Sequence, residues 1–570
     1  MKGIDWLQLL IYLAILTAIT KPLGNYIYNV LSPKRKTPLD RVLKPVEELT
    51  YRVCGIDAKK EQTWQQYLGA LLIFSVVILV FTYVVLALQH HLPLNPAKFK
   101  KIGSALNFNT SASFLTNTNW QNYGGESTMS YFSQMVGLTF QNFISPAVGL
   151  AVLAALSRGI ARFSSKTIGN FWVDIVRITY YLFLPFAIII AVFFVSQGTP
   201  QNFNSYVSAA NIEGATQTII QGPIASQEAI KMMGTNGGGF TNANSAHPFE
   251  NPTPFSNFIQ ILLLLAIPAA QVYYFGREVK HQKHGWCLYI VMAILFTTGT
   301  IVCTHYEAKG NPNITSLGVE QRCGNMEGKE QRFGNFGSTL FATATTSASN
   351  GSVNSMHDSY TPIGGMIPML NLQFSEIIFG GVGSGLYGMI VFVIIAVFTA
   401  GLIIGRIPEY IGKKIQALDM KLVMIALLVS IVCILSFTGW ASYAKWGTSA
   451  LGNNGPHGFS EILYAFSSTL GNNGSAFAGL SATTTIWNIL LGIAMLIGRF
   501  SVIIPIIALA GSLANKRLTP EGPASFPVTG TTFTLLLIGV IILVGSLSFL
   551  PALVMGPLFE QFFMNAAKLF

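Results

Sequence analysis

Ten apolar runs, each about 20 residues or longer, dominate this chain and leave it few ways to fold. They fall near 6–31, 67–89, 131–156, 174–196, 256–276, 286–305, 377–405, 422–440, 486–511 and 531–552. A bilayer core about 30 Å thick takes about 20 residues of helix but only about 10 of strand, so run length selects helices. The lipid interior offers no water to backbone N–H and C=O groups, and a helix pairs them within itself. Hydrophobic residues make up 51% of the chain and charged residues 10%, with a mean hydropathy of +0.51, which excludes a soluble multi-domain protein. The expected fold class is an all-α polytopic membrane protein with ten transmembrane helices. The first run passes through Lys21-Pro22 without a small-residue cleavage site, so it reads as a retained helix and not as a signal peptide.

The net charge of +11 raises the question of an anionic partner, and the distribution of charge answers it. Segments 32–66, 157–173, 277–285, 406–421 and 512–530 together hold 20 Lys and Arg residues, whereas the longer alternate segments hold 9. The positive-inside rule then puts the first set in the cytoplasm and both termini outside. No basic patch is left over that would call for nucleic acid. Cys54, Cys287, Cys303, Cys323 and Cys433 show no paired metal spacing and no disulfide framework. His90, His91, His247 and His457 carry no HExxH motif and are not expected to bind metal. A Walker A motif and an Asp-Lys-Thr-Gly phosphorylation motif are both missing from the sequence, so nothing in the chain suggests nucleotide hydrolysis.

Four short polar segments interrupt the apolar pattern in the same way: Asn117-Thr118-Asn119-Trp120, Thr235-Asn236-Gly237-Gly238, Ser349-Asn350-Gly351-Ser352 and Asn472-Asn473-Gly474-Ser475. Each sits between long apolar stretches and on the side assigned to the exterior. Asn-Gly is ordinary turn chemistry, and four turns are one reading. The other is that Gly and Asn tolerate the backbone angles that aim successive carbonyls at one axis, where four loops supply a ring for a dehydrated cation. Residues 103–115, 226–233, 336–347 and 460–470 precede these turns and suit re-entrant half-helices whose negative ends favour a cation. Four units of span, half-helix, turn and span then cover 67–156, 174–276, 286–405 and 422–511, a fourfold pseudosymmetric, channel-like pore. With connections included, the chain divides into 1–66 (first span and cytoplasmic loop), repeats 67–156, 157–276, 277–405 and 406–511, and 512–570 (last span). Gly458, in an outer loop by this reading, is expected to tolerate substitution.

Gly383-Ser384-Gly385-Leu386-Tyr387-Gly388 matches GxGxxG but lacks the preceding strand that a dinucleotide site needs. The small residues Gly380, Gly381, Gly383, Ser384 and Gly385 serve either close helix packing or an unwound segment beneath the turns that obstructs or opens the path. Arg499 lies well inside the ninth run, where a charge is expensive. It is either paired there or acts as a fixed positive charge opposing straight passage of a cation. Glu376, placed at the outer start of the seventh run, and Asp358 are candidate cation attractors or ordinary interfacial carboxylates.

The motifs Asn117–Gln121, Gly234–Phe240 through Asn251-Pro252-Thr253, Gly380–Gly388, Gly405-Arg406-Ile407-Pro408-Glu409-Tyr410 and Asn472–Gly479 resemble those of the KdpA family, the channel-like potassium-binding subunits of bacterial Kdp potassium-transporting ATPases. The resemblance spans essentially the whole chain. It implies a K⁺ filter at Thr118-Asn119, Asn236-Gly237, Asn350-Gly351 and Asn473-Gly474, with Asn119 in the slot that Gly fills in the other three loops. It also implies a gating loop at Gly380–Gly388, a charged residue beneath the filter at Arg499, and sideways exit of K⁺ into an ATPase subunit. Partners would be KdpB, KdpC and KdpF, in a bacterial inner membrane whose lipids surround the spans. The rival from the same fold is a passive or ion-coupled Trk/Ktr-like pathway; a receptor or scaffold is the non-transport alternative.

Overall fold

The computed structural model describes residues 3–32, 36–405, 408–518 and 526–566. Arg406 and Ile407 of the fourth motif, and parts of the basic segments at 33–35 and 519–525, lie outside these residues. Ten helices long and apolar enough to cross a membrane are present among the described residues. The first is Gly3–Leu31 and the second Trp64–Ala87; the third, Ser133–Ala161, is almost wholly enclosed by its neighbours. The fourth is Phe171–Gln197, the fifth Pro254–Glu278 and the sixth starts at Gln282. The last four are Ser384–Ile403, Ala417–Tyr443, Thr485–Asn515 and a tenth from Thr531 to Leu553. Polar caps fix several starts: Thr63 and Gln66 close a reciprocal box on the second span, and Thr253 and Ser256 do so on the fifth.

Four shorter helices sit between these spans: Ser104–Leu115, Ile224–Met233, Gly334–Ser347 and Gly455–Gly471. Together with their flanking spans they form four helix–pore loop–helix repeats around one pore. The seventh span differs from the expected run of 377–405. A helix at Pro362–Gln373 descends first, residues 374–383 are not helical, and the span resumes only at Ser384. Glu376 is consequently no outer-surface residue; it is 3% exposed within this break.

The first span lies outside the repeats against the fifth, where Tyr12 Oη donates to Ile261 O at 2.6 Å and Gly24 packs on Ala270 O. The tenth packs on the third repeat, with Gly545 against the Phe374 ring. The described parts of all five basic segments meet on one face. Arg162 pairs with Glu61 (2.7 Å), His284 bridges Tyr410 Oη (2.9 Å) and Val528 O (2.8 Å), and Lys413 Nζ donates to Gly159 O (2.8 Å) and Leu513 O (2.6 Å). Lys413 thereby caps two helix C-termini whose carbonyls and dipoles favour a cation. Both ends of the described chain lie on the opposite face, the one carrying the four loops. Ile4 and Gln8 line a groove with Gln321 and Asn325, and Glu560 contacts His457 at the start of the fourth pore helix.

Candidate functional site: four converging loops

The four turns share one local geometry. In each, an amide reaches the carbonyl five residues back: Thr118 N to Ser113 O (3.0 Å), Asn236 N to Lys231 O (3.0 Å), Asn350 N to Thr345 O (3.0 Å) and Asn473 N to Ser468 O (2.9 Å). The preceding residue is left-handed every time, with φ of 66° at Asn117, 48° at Thr235, 54° at Ser349 and 62° at Asn472. Positive φ is uncommon outside glycine, and it recurs at Asn119 (54°), Gly237 (99°) and Gly474 (103°). Gly351 is the exception in the last set. Asn119 takes the left-handed angle without being glycine, and its amide donates to Asn142 Oδ1 at 2.7 Å.

The loops touch in cyclic order. A Cβ at Gly237 would overlap Gly351 N, one at Gly351 would lie 2.8 Å from Asn473 O, and one at Gly474 would overlap Thr118 O. Gly238 closes the circle, since its Cβ would sit 3.0 Å from Asn119 O. Side chains reinforce the ring: Asn117 Nδ2 donates to Thr235 O (2.9 Å), Asn350 Nδ2 to Lys231 O (3.0 Å) and Asn473 Nδ2 to Thr345 O (3.2 Å). Asn472 Nδ2 reaches Thr118 Oγ1 at 3.0 Å, and Ser349 Oγ reaches Asn472 O at 3.1 Å. Gly351 N also donates to Asn236 O at 3.3 Å, which ties the second loop to the third. The C-terminal ends of all four pore helices point at this ring, so their dipoles make it favourable for positive charge. All eight sequence-predicted filter residues belong to it.

Beneath the ring lies the break in the seventh span. Val382 N donates to Thr235 Oγ1 (3.0 Å), Gly383 N to Gln271 Oε1 (2.8 Å), and Gly381 packs on Ser349. Gly380 and Gly385 lie face to face, and Gly383 packs on Gly149 of the third span. Ser375, Glu376 and Phe379 hold φ of 59°, 49° and 49°, a cluster of non-glycine left-handed residues such as accumulates at functional loops. The Glu376 carboxylate faces Ser349 and Asn473 of the third and fourth loops, and its Oε1 has no protein partner. Arg499 Nη2 donates to Ser145 O at 3.0 Å, its Nε is unpartnered, and no carboxylate lies within 4 Å of it among the described residues. Its partner is thus a helix carbonyl, Ser145 O, and not a carboxylate. Glu376 and Arg499 line one cavity of about 70 Å³ that continues past Ser430 and Ile434 of the eighth span to Phe549 of the tenth.

Sequence reasoning missed the charges behind the second loop. Lys231, 1% exposed, contacts Glu228 (2.6 Å) and Glu250 and donates to Gly238 O at 3.1 Å. A lysine and a glutamate at i, i+3 on a half-helix, followed by a second glutamate, was the available signal. Asp358 lies beside His457 and Glu461 at the loop face. His457 Nε2 lies 3.1 Å from Asp358 Oδ1 and Nδ1 lies 2.8 Å from Glu560 Oε1, so a protonated ring donates to both carboxylates. Gly458 is not a loop residue; it lies inside the fourth pore helix, and a Cβ there would overlap Asn453 O, which removes the expected tolerance.

A family profile described as "KdpA: Potassium-transporting ATPase A subunit" matches residues 10–562. The chain is 52% identical over 563 residues to the potassium-transporting ATPase potassium-binding subunit of Solibacter usitatus, covering 99% of each chain. It is 53% identical over 564 residues to the subunit of the same name from Rhodospirillum centenum, covering 99% of this chain and 98% of that one. Among solved structures, the potassium transporter TrkH of Vibrio parahaemolyticus superposes with a TM-score of 0.51 at 14% identity, over 89% of this chain and 98% of that one. At that identity the likeness concerns the fold.

Proposed function

The chain belongs to the KdpA family of potassium-transporting ATPase A subunits, and we propose that it takes K⁺ from the outer side and hands it to a P-type ATPase partner. The ring of loops carries this reading. Carbonyls held by glycine and asparagine, at the focus of four helix C-termini, replace the water shell of a dehydrated monovalent cation. Thr118, Asn119, Asn236, Gly237, Asn350, Gly351, Asn473 and Gly474 are the proposed ligand-bearing positions, and the repeats divide as 67–156, 157–276, 277–405 and 406–511. K⁺ is cargo here. The chemistry of ATP hydrolysis belongs to the partner KdpB, with KdpC and KdpF completing the complex.

The exit path runs sideways. Arg499, a guanidinium without a carboxylate partner, opposes continued axial passage, while Glu376 on the same cavity attracts the ion off the axis. The cavity leads between the third and fourth repeats toward the eighth and tenth spans, which is where KdpB would dock. The basic face then lies in the cytoplasm of a bacterial inner membrane, and both termini lie outside.

Reconstituted complex tests this reading. We expect K⁺ uptake to stop when ATP hydrolysis on KdpB is abolished while the membrane potential persists, and K⁺ to stimulate ATPase activity in preference to Na⁺. Uptake that continues without ATP hydrolysis would establish a Trk-like passive pathway instead.

A further inference from the structure

Residues Asp40–Val53, between the first and second spans, form a 14-residue helix with three distinct faces. One is fastened to the protein. Glu47, 6% exposed, pairs with Arg177 (3.0 Å) and accepts from Tyr181 Oη (2.6 Å), while Arg177 Nε reaches Val30 O (2.7 Å) and Thr50 shares a hydrogen bond with Tyr180 (3.1 Å). The second face carries Arg41, Lys44, Glu48 and Arg52, all exposed. The third carries Val42, Val46, Leu49 and Val53 at helical spacing, exposed by 69%, 47%, 57% and 76%. An anchored helix cannot turn this stripe away from its surroundings, so something apolar must meet it.

Its position suggests what that is. The helix is fastened to the ends of the first and fourth spans, both of which keep most of their length exposed toward the bilayer. Beside it a groove of about 770 Å³ has Phe74, Trp172, Ile175 and Val176 along its apolar side, with Lys60 and Asp57 at its rim. Charge points the same way. Segment 32–66 has eight Lys and Arg against five Asp and Glu. Of those acids Glu47 is bound to Arg177 and Glu61 to Arg162, whereas Arg41 and Arg52 have no carboxylate partner among the described residues. An apolar stripe flanked by unpaired cations at the edge of a bilayer matches an interfacial helix on anionic lipid.

We propose that this helix docks into the adjoining leaflet, with Val42, Val46, Leu49 and Val53 among acyl chains and Arg41, Arg52 and Lys60 at anionic phospholipid headgroups. The contact is independent of the ion path. It holds the ends of the first and fourth spans at a fixed depth through Glu47 and Arg177.

The test uses the assembled complex in bilayers of phosphatidylcholine with a minority of phosphatidylglycerol, one lipid or the other brominated on its acyl chains. Leu49→Trp should add fluorescence that both lipids quench, phosphatidylglycerol by about two-fold or more over its mole fraction. Arg41→Gln with Arg52→Gln should abolish that excess and leave quenching by phosphatidylcholine. No quenching by either lipid would assign the stripe to a partner subunit, and equal quenching per mole would remove the charge recognition; either result overturns the proposal. Should Leu49→Trp fail to assemble, a nitroxide on exposed Cys54 in a Cys323→Ser background reports the same depth. Acyl-level immersion there supports the proposal, and aqueous exposure refutes it.

Discussion

At Gly237 the left-handed backbone and the neighbouring loop exclude a side chain together: φ is 99°, and a Cβ would overlap Gly351 N. Gly237→Asp adds to this a carboxylate with its own strong solvation, which competes with the carbonyl ring. Apparent K⁺ affinity in the ATPase assay should fall by about ten-fold or more, and discrimination against Rb⁺ and NH₄⁺ should fall with it. Gly103→Ala is the matching control, because no atom lies within 4 Å of a Cβ there. Unchanged affinity and ion preference in an assembled Gly237 variant would remove the second loop from the ion site. Glycine and asparagine were legible in the sequence as a repeated pattern, and the left-handed backbone accounts for them at Asn117, Asn119, Asn472, Gly237 and Gly474. The Lys231 cluster was overlooked because its i, i+3 lysine–glutamate signal looks the same whether the pair is solvated or buried. Glu376 was misplaced for a related reason: hydropathy measures how greasy a residue's neighbours are and carries no depth.

The pore helices were readable as elements because each lies between a span and a conspicuous polar stop, and their observed bounds fall within a few residues of the expected ones. The helix Pro362–Gln373 was not, because Pro362, Gly364, Gly365 and Pro368 mark loops in any local reading. Burial against the sixth span and the third and fourth pore helices holds it helical. The interfacial helix Asp40–Val53 escaped likewise, its four aliphatics being diluted by charges in any window long enough to find a span. The broken seventh span yields a prediction about elements. A Cβ at Gly149 would overlap Val382 O and lie 3.5 Å from Arg499 Nη2, and the four converging turns are not among its nearest neighbours. Gly149→Ala should therefore change transport rate by several-fold while K⁺ affinity stays within about two-fold, as expected when a path is altered and a binding site is not. Equal loss of both would mean that loop and filter move as one.

Across the whole molecule, His457 joins parts far apart in sequence: Asp358 in the third repeat, its own pore helix in the fourth, and Glu560 beyond the tenth span. The two carboxylates outweigh burial and raise its pKa from 6.5 to about 10. The protonated ring is thus favoured in the folded chain. Its stabilising contribution is complete below about pH 6.5, the unfolded value, and is lost as pH rises through about 10. His457→Gln should lower stability by about 1–3 kcal/mol at neutral pH. The difference from the parent should vanish near pH 10, as read from thermal unfolding of the purified complex. A gap that persists undiminished at high pH would show that the ring acts by packing alone.

The contact between successive loops has a mechanical meaning as well as a chemical one. Four segments already in backbone contact, cross-linked by asparagine amides, make a hoop with no slack: widening it at one point requires tension all the way round. Such a hoop keeps its diameter while the structure around it flexes, and that constancy is what sorting ions by size demands. Compliance is then left to the glycine-rich break below, which is joined to the hoop by few bonds. In a single chain the hoop is also assembled from four unlike quarters, so selection can retune one quarter at a time, a freedom that a ring of identical subunits lacks.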